Sequence, residues 1–270
     1  MFGSPGMFGR LFDPDAALAI IEKRGTVAEA IRSIPPRLRA LLGAGLGYAG
    51  MKTVTDPLAA LIGAKAVEGF PRAESELPIE IKDDPKGADV LRWIDKFKKD
   101  HPDVESVPVF VSGSLPASLY AYSDLFKNPG ARKFLKDELG IQSPGVYLNE
   151  MSAPIALHEL GHAKIERKIP KISLLTHGLP LLSLPLLGYA ILKKPGQVPA
   201  FLDKAAPLIV AALQVPALAE EAAASIIAER ALRREGETGR ATFLPAFLAH
   251  AVERAGLPLT AAAAMFLKRL

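Results

Sequence analysis

The run HELGH holds the residues best suited to chemistry, because His158 and His162 lie four positions apart and Glu159 directly follows the first histidine. Residues at i and i+4 share one face of a helix, so both imidazoles can bind a single zinc ion at about 2.0–2.1 Å. Glu159 can then act as general base toward a metal-bound water that attacks a polarised carbonyl. The spacing therefore predicts one Zn²⁺ ion and hydrolysis of an amide bond.

The neighbouring residues predict that this run is helical. Ser152 is a good N-cap, and Pro154 falls in the first helical turn. Gly161 would let another backbone element approach the helix closely at the site. A five-residue motif can also arise by chance on a solvated helix face, but the chain has only five histidines and two fall in this pattern. We interpret the remaining three as surface or packing residues: His101, His177 and His250.

A third protein ligand must come from elsewhere in the chain. There is no cysteine, so histidine and carboxylate side chains are the only strong metal ligands. We favour Glu221, because Glu220 and Glu221 open an alanine-rich helix at the edge of a long apolar stretch. Glu220 is the near alternative, and Asp203 and Glu229 are further candidates. Each of these could instead be a solvated surface charge.

The order of the elements resembles that of a known peptidase family. Residues 145–234 are predicted to contain four elements in order. These are a strand, the HELGH helix, an apolar segment, and a second helix that carries glutamate. This order is similar to that of the membrane-embedded gluzincins, the family of CAAX-prenyl endopeptidases and heat-shock membrane proteases. Its third zinc ligand is the glutamate of an ExxAD motif, which corresponds to Glu221, with Ser225 at the position of the family's aspartate. The resemblance implies a zincin-like α+β fold and a zinc endopeptidase acting on a peptide or protein substrate.

The rest of the pattern predicts a mainly α-helical protein with a small β-sheet. Apolar runs bounded by proline and glycine predict strands in 107–112 and 145–149. Helical spacing predicts helices in 88–99 and 124–139. The sheet and the helices around it are expected to precede and support the HELGH helix.

Composition divides the chain into three parts. Residues 1–12 are predicted to form a flexible tail and residues 13–71 an N-terminal helical region. Residues 87–270 are predicted to form the zincin-like metallopeptidase domain. The polar, proline-containing segment 72–86 forms the boundary between the last two. Within the helical region, the pair Asp56-Pro57 predicts a helix start.

An apolar stretch after the HELGH helix predicts membrane contact. Residues 172–192 include no Lys, Arg, Asp or Glu and are long enough to span a bilayer, although two internal prolines favour a kinked or re-entrant path. Residues 205–219 are also uncharged but give only about 22 Å of helix. If Glu221 binds the same ion as the two histidines, the chain segment 172–219 must begin and end on the same side of the membrane. A transmembrane or re-entrant hairpin does this. Burial of both helices in a soluble protein is the alternative.

The distribution of charge predicts the side of the membrane on which the site lies. Basic residues near the predicted zinc site outnumber those between the two apolar segments. The first group is Lys164, Arg167, Lys168, Lys171, Arg230, Arg233 and Arg234, and the second is Lys193, Lys194 and Lys204. The positive-inside rule then places the zinc site in the cytoplasm. The scattered basic residues argue against nucleic acid as a partner, and the N-terminus predicts no cleaved secretory signal.

We therefore expect a membrane-associated zinc endopeptidase. Two alternatives stay open: an intramembrane protease of the site-2 type that uses Asp203 as third ligand, and a membrane scaffold that binds zinc without turnover. Asp203 lies in the sequence Leu-Asp-Lys, which lacks the glycine of the LDG motif of the site-2 class. The residue that stabilises the oxyanion is also open, with Arg230, Tyr189 and His250 as candidates.

Overall fold

A computed structural model describes residues 27–67, 70–115, 117–193, 197–234 and 243–269. The predicted tail lies outside these residues. The described chain is mainly helical with a small four-stranded mixed sheet, as the sequence predicted. The helices are α1 (Val27–Ser33), α2 (Pro36–Gly50), α3 (Asp56–Val67), α4 (Ala88–Asp100), α5 (Pro129–Leu139), α6 (Ala153–Lys168), α7 (Leu179–Leu192), α8 (Ala200–Arg234) and α9 (Phe243–Arg269). The strands are β1 (Ile79–Glu80), β2 (Val109–Val111), β3 (Leu119–Ala121) and β4 (Gly145–Leu148).

The sheet joins segments that are distant in sequence. Its strand order is β1-β2-β4-β3, with β2 and β4 parallel and each outer strand antiparallel to its neighbour. Val109 pairs with Val146, and β4 is buried along its whole length. Strand β1 comes from the segment 72–86, so the segment that composition suggested as a boundary contributes to the sheet.

Helix α6, which carries HELGH, packs against the sheet and against α8. Its Leu157 and Leu160 are completely buried and share a core with Val111 and Val146 of the two central strands. Ala224 of α8 belongs to the same core. Burial on both sides fixes α6 between the sheet and α8. A site built from side chains of two helices requires such a fixed relative position.

The other half of the molecule is a helical bundle formed by α2, α3, α7, α9 and the first part of α8. Helix α2 is antiparallel to α9, because Gly43 contacts the Ala263 and Ala264 backbone while Gly47 contacts Thr260. A Cβ added at Gly47 would lie 2.6 Å from the Thr260 Cα, so the close packing of these helices depends on glycine. The bundle core consists of Ala40, Leu187, Ala190, Ile191, Ala206, Val210, Ala261, Ala264 and Met265.

Two opposite ends of the bundle can be distinguished. At one end, α8 leaves the bundle to pack against α6, and His250 of α9 lies beside it. At the other, Lys268 of α9 donates a hydrogen bond to the Ala190 carbonyl of α7, and Ala40 of α2 joins their core. We call this second end the far end. From His250 to Lys268, α9 rises about 27 Å at 1.5 Å per residue.

Two π-helical segments mark places where proline enters a helix. Met51–Thr55 precedes Pro57, and Leu174–Gly178 precedes Pro180. Proline has no N–H to donate to the carbonyl four residues earlier, so the local hydrogen-bond pattern widens. The helix nevertheless continues from α2 into α3 without a break. Helix α3 begins at Asp56, where the pair Asp56-Pro57 predicted a start, and a π-helical segment joins it to α2.

Two helices are long and apolar enough to cross a membrane, judged by length and composition: Leu174–Leu192 and Lys204–Arg234. They cover the predicted apolar segment 172–192 from residue 174 onward and all of the segment 205–219. Only 33% of the most apolar window of each is buried within the protein, and the rest is half-buried or exposed. Large apolar side chains are also exposed on the other bundle helices. The exposed set includes Leu41, Leu46, Leu61, Leu181, Leu208, Leu259 and Phe266.

Candidate metal centre

The HELGH helix begins where the sequence predicted. The Ile155 N–H donates to the Ser152 Oγ over 3.4 Å, and a proline lies in the first turn. Because the helix is regular through the motif, His158 and His162 lie on one face with their Nε2 atoms 3.2 Å apart. Two nitrogen atoms thus point toward a common position.

A glycine brings the second helix to this position. A Cβ added at Gly161 would lie 2.9 Å from both the Cα and the carbonyl oxygen of Ala224, so only glycine allows this approach of α8. The predicted close approach at Gly161 is confirmed. The element that approaches is the helix that carries Glu220 and Glu221.

Glu221 completes a compact set of three ligand atoms. Its Oε2 atom lies 3.3 Å from the His158 Nε2 and 3.4 Å from the His162 Nε2. Ligands at about 2.0–2.1 Å from a tetrahedral ion lie about 3.3–3.4 Å from one another, so the three atoms match one face of such a tetrahedron. The Glu221 Oε2 is also buried without a hydrogen-bond donor. A buried, unpaired carboxylate oxygen facing imidazole nitrogens fits a cation between them.

Each histidine of the motif has a partner behind it. The Nδ1 of His162 lies 3.0 Å from the Glu220 Oε1, and because a carboxylate only accepts, this Nδ1 carries the proton. The Nδ1 of His158 lies 3.1 Å from the Ser225 Oγ. Both contacts leave Nε2 free to bind a metal, as outer partners of metal-binding histidines do. Glu220 and Glu221 therefore occupy different positions, one behind His162 and the other facing both Nε2 atoms.

Two tyrosines that the sequence reasoning missed lie at the end of β3: Tyr120 within the strand and Tyr122 directly after it. Tyr122 donates a hydrogen bond to Glu220, and its hydroxyl lies 3.2 Å from the His162 Nδ1. Burial, and then the charge of Glu220, raise the pKa of Tyr122 far above its usual value, so its hydroxyl stays a donor. Tyr120 donates to the buried Glu166 of α6. The alternation in the segment SLYAYS is the signal that could have revealed a strand with paired tyrosines.

Glu159 is buried, and its carboxyl is close enough to His158, His162 and Glu221 to interact electrostatically with them. Burial raises the pKa of its carboxyl, while the two neighbouring histidines and the backbone of Tyr120 act in the opposite direction. A buried carboxyl with a raised pKa can both accept and return a proton.

His250 of α9 also lies at the site. Its Nε2 is 3.3 Å from the Glu221 Oε2, and its ring is nearly parallel to that of His158 at 6.1 Å between centroids. Ligand atoms of His158, Glu221 and His250 all lie within 4.8 Å of one another, so this group could hold a metal ion. His250 thus lies among the candidate ligands, where the sequence analysis expected a surface or packing residue. No local motif marks it, since it reaches the site only through the packing of α9 on α8.

The other sequence candidates lie elsewhere. Asp203 precedes Glu221 on α8 by about 27 Å of helix, at 1.5 Å per residue. Glu229 pairs with Arg233 on the same helix, and Tyr189 lies under Lys193. His101 contacts the Lys164 Nζ at 3.0 Å. His177 packs edge-on against Tyr122, with 5.1 Å between ring centroids.

A cavity of about 750 Å³ adjoins the site on the bundle side. His250 and His177 form part of its wall, together with aliphatic side chains of α3, α7 and α9. Arg254, one turn after His250, also lines it, and its Nε is buried without a hydrogen-bond partner. The cavity therefore provides a mostly apolar space next to the candidate ligands.

Comparison with known proteins finds no matching family model, no matching curated protein and no matching solved structure. The resemblance to the membrane-embedded gluzincins thus stays a prediction from the sequence. The chemistry of the site has to be argued from its own geometry.

Proposed function

We propose that the chain is a membrane-associated, zinc-dependent endopeptidase of the zincin kind. The observation that carries this proposal is the triangle formed by the Nε2 atoms of His158 and His162 and the Oε2 atom of Glu221, with sides of 3.2–3.4 Å. A donor set of two histidines and one glutamate is used by catalytic zinc sites, which keep a further position for water or substrate. Glu159 adjoins this triangle as a base.

The residues of the site then have distinct roles. When bound, zinc polarises the substrate carbonyl and makes an attacking water more acidic. Glu159 accepts a proton from that water and delivers it to the leaving amine. Glu220 and Ser225 orient the two imidazoles through their Nδ1 atoms. The neighbouring cavity offers space for an apolar part of the substrate.

His250 is the best placed of the three predicted oxyanion stabilisers. Its Nε2 lies beside the Glu221 Oε2, whereas Tyr189 contacts Lys193 at the end of α7 and Arg230 is exposed on α8, nine residues after Glu221. A donor at this position could bind the oxygen on which negative charge develops during attack. We therefore assign His250 this role in the proposed reaction.

The position of His250 also favours a second candidate function, a membrane scaffold that binds zinc without turnover. If His250 were a fourth protein ligand, the coordination would be closed, as in structural zinc sites. The site-2 alternative is not favoured, because Asp203 and Glu221 lie about 27 Å apart along α8. In the catalytic proposal His250 does not bind the metal, whereas in the scaffold proposal it does. An experiment can distinguish these two cases.

Three features of the bundle support the membrane part of the proposal. Two of its helices have the length and composition of membrane spans. Large apolar side chains face outward on the helices around them. The bundle measures about 27 Å along α9 between His250 and Lys268, close to the roughly 30 Å of a bilayer's hydrocarbon core. The metal centre then lies near one membrane surface and the far end near the other.

The proposed cytoplasmic location of the site rested on seven basic residues near it against three in the connecting loop. The fold adds four to the far end: Arg37, Arg39, Lys268 and Arg269. The fold also brings Arg254 to the side of the site, so the difference in basic residues between the two sides becomes smaller but keeps its direction.

The direct test of the enzymatic proposal is Glu159→Gln. We expect this variant to bind stoichiometric zinc but to cleave unfolded proteins and peptide libraries at least about 100-fold more slowly, since it lacks the base. Glu229→Gln, on α8 but outside the site, is the matched control and should cleave normally. Undiminished cleavage by Glu159→Gln would contradict the mechanism. Zinc binding by the unmodified chain without any cleavage would instead favour the scaffold.

A further inference from the structure

Arg39 is a buried cation that no described residue neutralises. Only 7% of the residue is exposed, and its Nε and Nη1 atoms are buried without a hydrogen-bond partner. No ion pair joins it to any carboxylate among the residues that the structure describes. Leaving a charge buried without a partner is costly, so a stable fold needs a compensating anion. A bound anion from outside the described part of the chain would remove this cost.

The packing of α2 on α9 locates this cation at the far end of the bundle. Gly47 contacts Thr260 and Gly43 contacts Ala264, so one more turn along the antiparallel pair places Arg39 beside Lys268. Lys268 is itself buried and donates to the carbonyl of Ala190, near the C-terminal end of α7. Two cations are therefore buried in one small region where three helices meet.

The surroundings of Arg39 are also basic. Exposed cations at the same end of the bundle come from α2, the end of α7, α8 and α9: Arg37, Lys193, Lys204 and Arg269. This end lies about 27 Å from the metal centre along α9. If the metal centre lies at one membrane surface, the far end therefore lies at the level of the lipid phosphate groups of the other surface. Basic sites between helices at this depth bind the headgroups of anionic lipids.

We propose that Arg39 forms the centre of a binding site for the phosphate group of an anionic phospholipid, at the far end of the bundle between α2, α7 and α9. The guanidinium binds phosphate oxygens through two N–H groups. The exposed cations attract anionic lipid without contacting the bound headgroup. The site rests on the membrane part of the proposed function but is independent of catalysis.

The test uses the full-length chain in nanodiscs of phosphatidylcholine, with and without a fraction of phosphatidylglycerol. We expect the anionic lipid to raise the Tm by at least about 3 °C. Native mass spectrometry should show one retained phosphatidylglycerol molecule per chain. Arg37→Gln, which removes an exposed arginine two positions earlier on the same helix, should keep both responses. Arg39→Gln should lose both.

Arg39→Met serves if Arg39→Gln fails to fold, because methionine fills similar space without a buried charge. It should be at least as stable as the unmodified chain in phosphatidylcholine and should not respond to phosphatidylglycerol. A normal response by Arg39→Met would overturn the proposal, since diffuse surface charge would then explain it. An equal Tm rise with inorganic phosphate in phosphatidylcholine nanodiscs would also overturn the lipid assignment.

Membrane association itself is measured separately, by flotation with phosphatidylcholine vesicles. Failure to float would overturn the membrane part of the proposed function and the lipid site together. Flotation without a specific response to phosphatidylglycerol would overturn the lipid site alone. Neither outcome depends on peptide cleavage.

Discussion

Ser225 supports His158 through a hydroxyl group, with the Oγ 3.1 Å from the Nδ1. A hydroxyl holds the imidazole in place but adds no negative charge behind it. Ser225→Ala should therefore weaken zinc affinity about 10-fold, at the lower end of the effect of removing such a partner. Ser225→Asp should strengthen it, because a carboxylate raises the basicity of the histidine. Chelator competition measures both, with Ser183→Ala in the bundle as the control.

The two adjacent glutamates of α8 should have different effects. Glu221→Gln removes the carboxylate that faces both Nε2 atoms and should abolish stoichiometric zinc binding. Glu220→Gln keeps a polar group behind His162 and should lower zinc affinity only about 10- to 100-fold. Zinc content after gel filtration and competition titrations measure the two effects. Equal losses would contradict the assignment of Glu221 as the ligand.

The contact between α6 and α8 predicts the effect of a single methyl group. Gly161→Ala would place a Cβ 2.9 Å from the Ala224 backbone and should lower the free energy of unfolding by about 1–3 kcal/mol. Because the helices must move apart, zinc affinity should fall as well. Gly188→Ala is the matched control, since a Cβ there has no neighbour within 4 Å. It should leave stability unchanged or raise it by up to about 1 kcal/mol.

His250 distinguishes the two proposed functions. If it stabilises the oxyanion, His250→Ala should bind zinc normally but show a kcat lowered about 100-fold. If it is a fourth ligand, the variant should lose zinc affinity, and a catalytic position should open. Zinc titration and steady-state cleavage, measured on the same preparation, separate these outcomes.

Topology can be measured cleanly because the chain has no cysteine. Gln142→Cys introduces an exposed thiol on the sheet side of the molecule, and Gln197→Cys introduces one at the far end. A membrane-impermeant maleimide should label only one of them in intact cells. The cytoplasmic prediction expects labelling of Gln197→Cys. Labelling of both would contradict a bundle that spans the membrane.

Much of the site could be predicted from sequence because its main contacts are local. His158 and His162 lie one helical turn apart, and Ser152 fixes the start of their helix, so the pattern itself determines their geometry. Gly161 predicted a close approach because no other residue needs so little space. The identity of the approaching helix followed from the demand for a third ligand.

The remaining contacts depend on packing between distant segments. Tyr122 reaches Glu220 only because β3 pairs with β4, and a strand of three residues gives little signal. His250 reaches the site because glycines of α2 and small residues of α9 fix the position of that helix. The pair Asp56-Pro57 correctly predicted the start of α3, but it did not predict the π-helical segment that joins α3 to α2.

Helix α8 runs from Ala200 to Arg234 and joins both halves of the molecule. Its first part belongs to the bundle, and its later part carries the two glutamates. A newly synthesised chain therefore presents HELGH before the carboxylate opposite it is in place. Under the proposed function, the protein would gain hydrolytic activity only once its bundle has inserted. This order of assembly would thus protect other proteins from cleavage in the compartment where the chain is made.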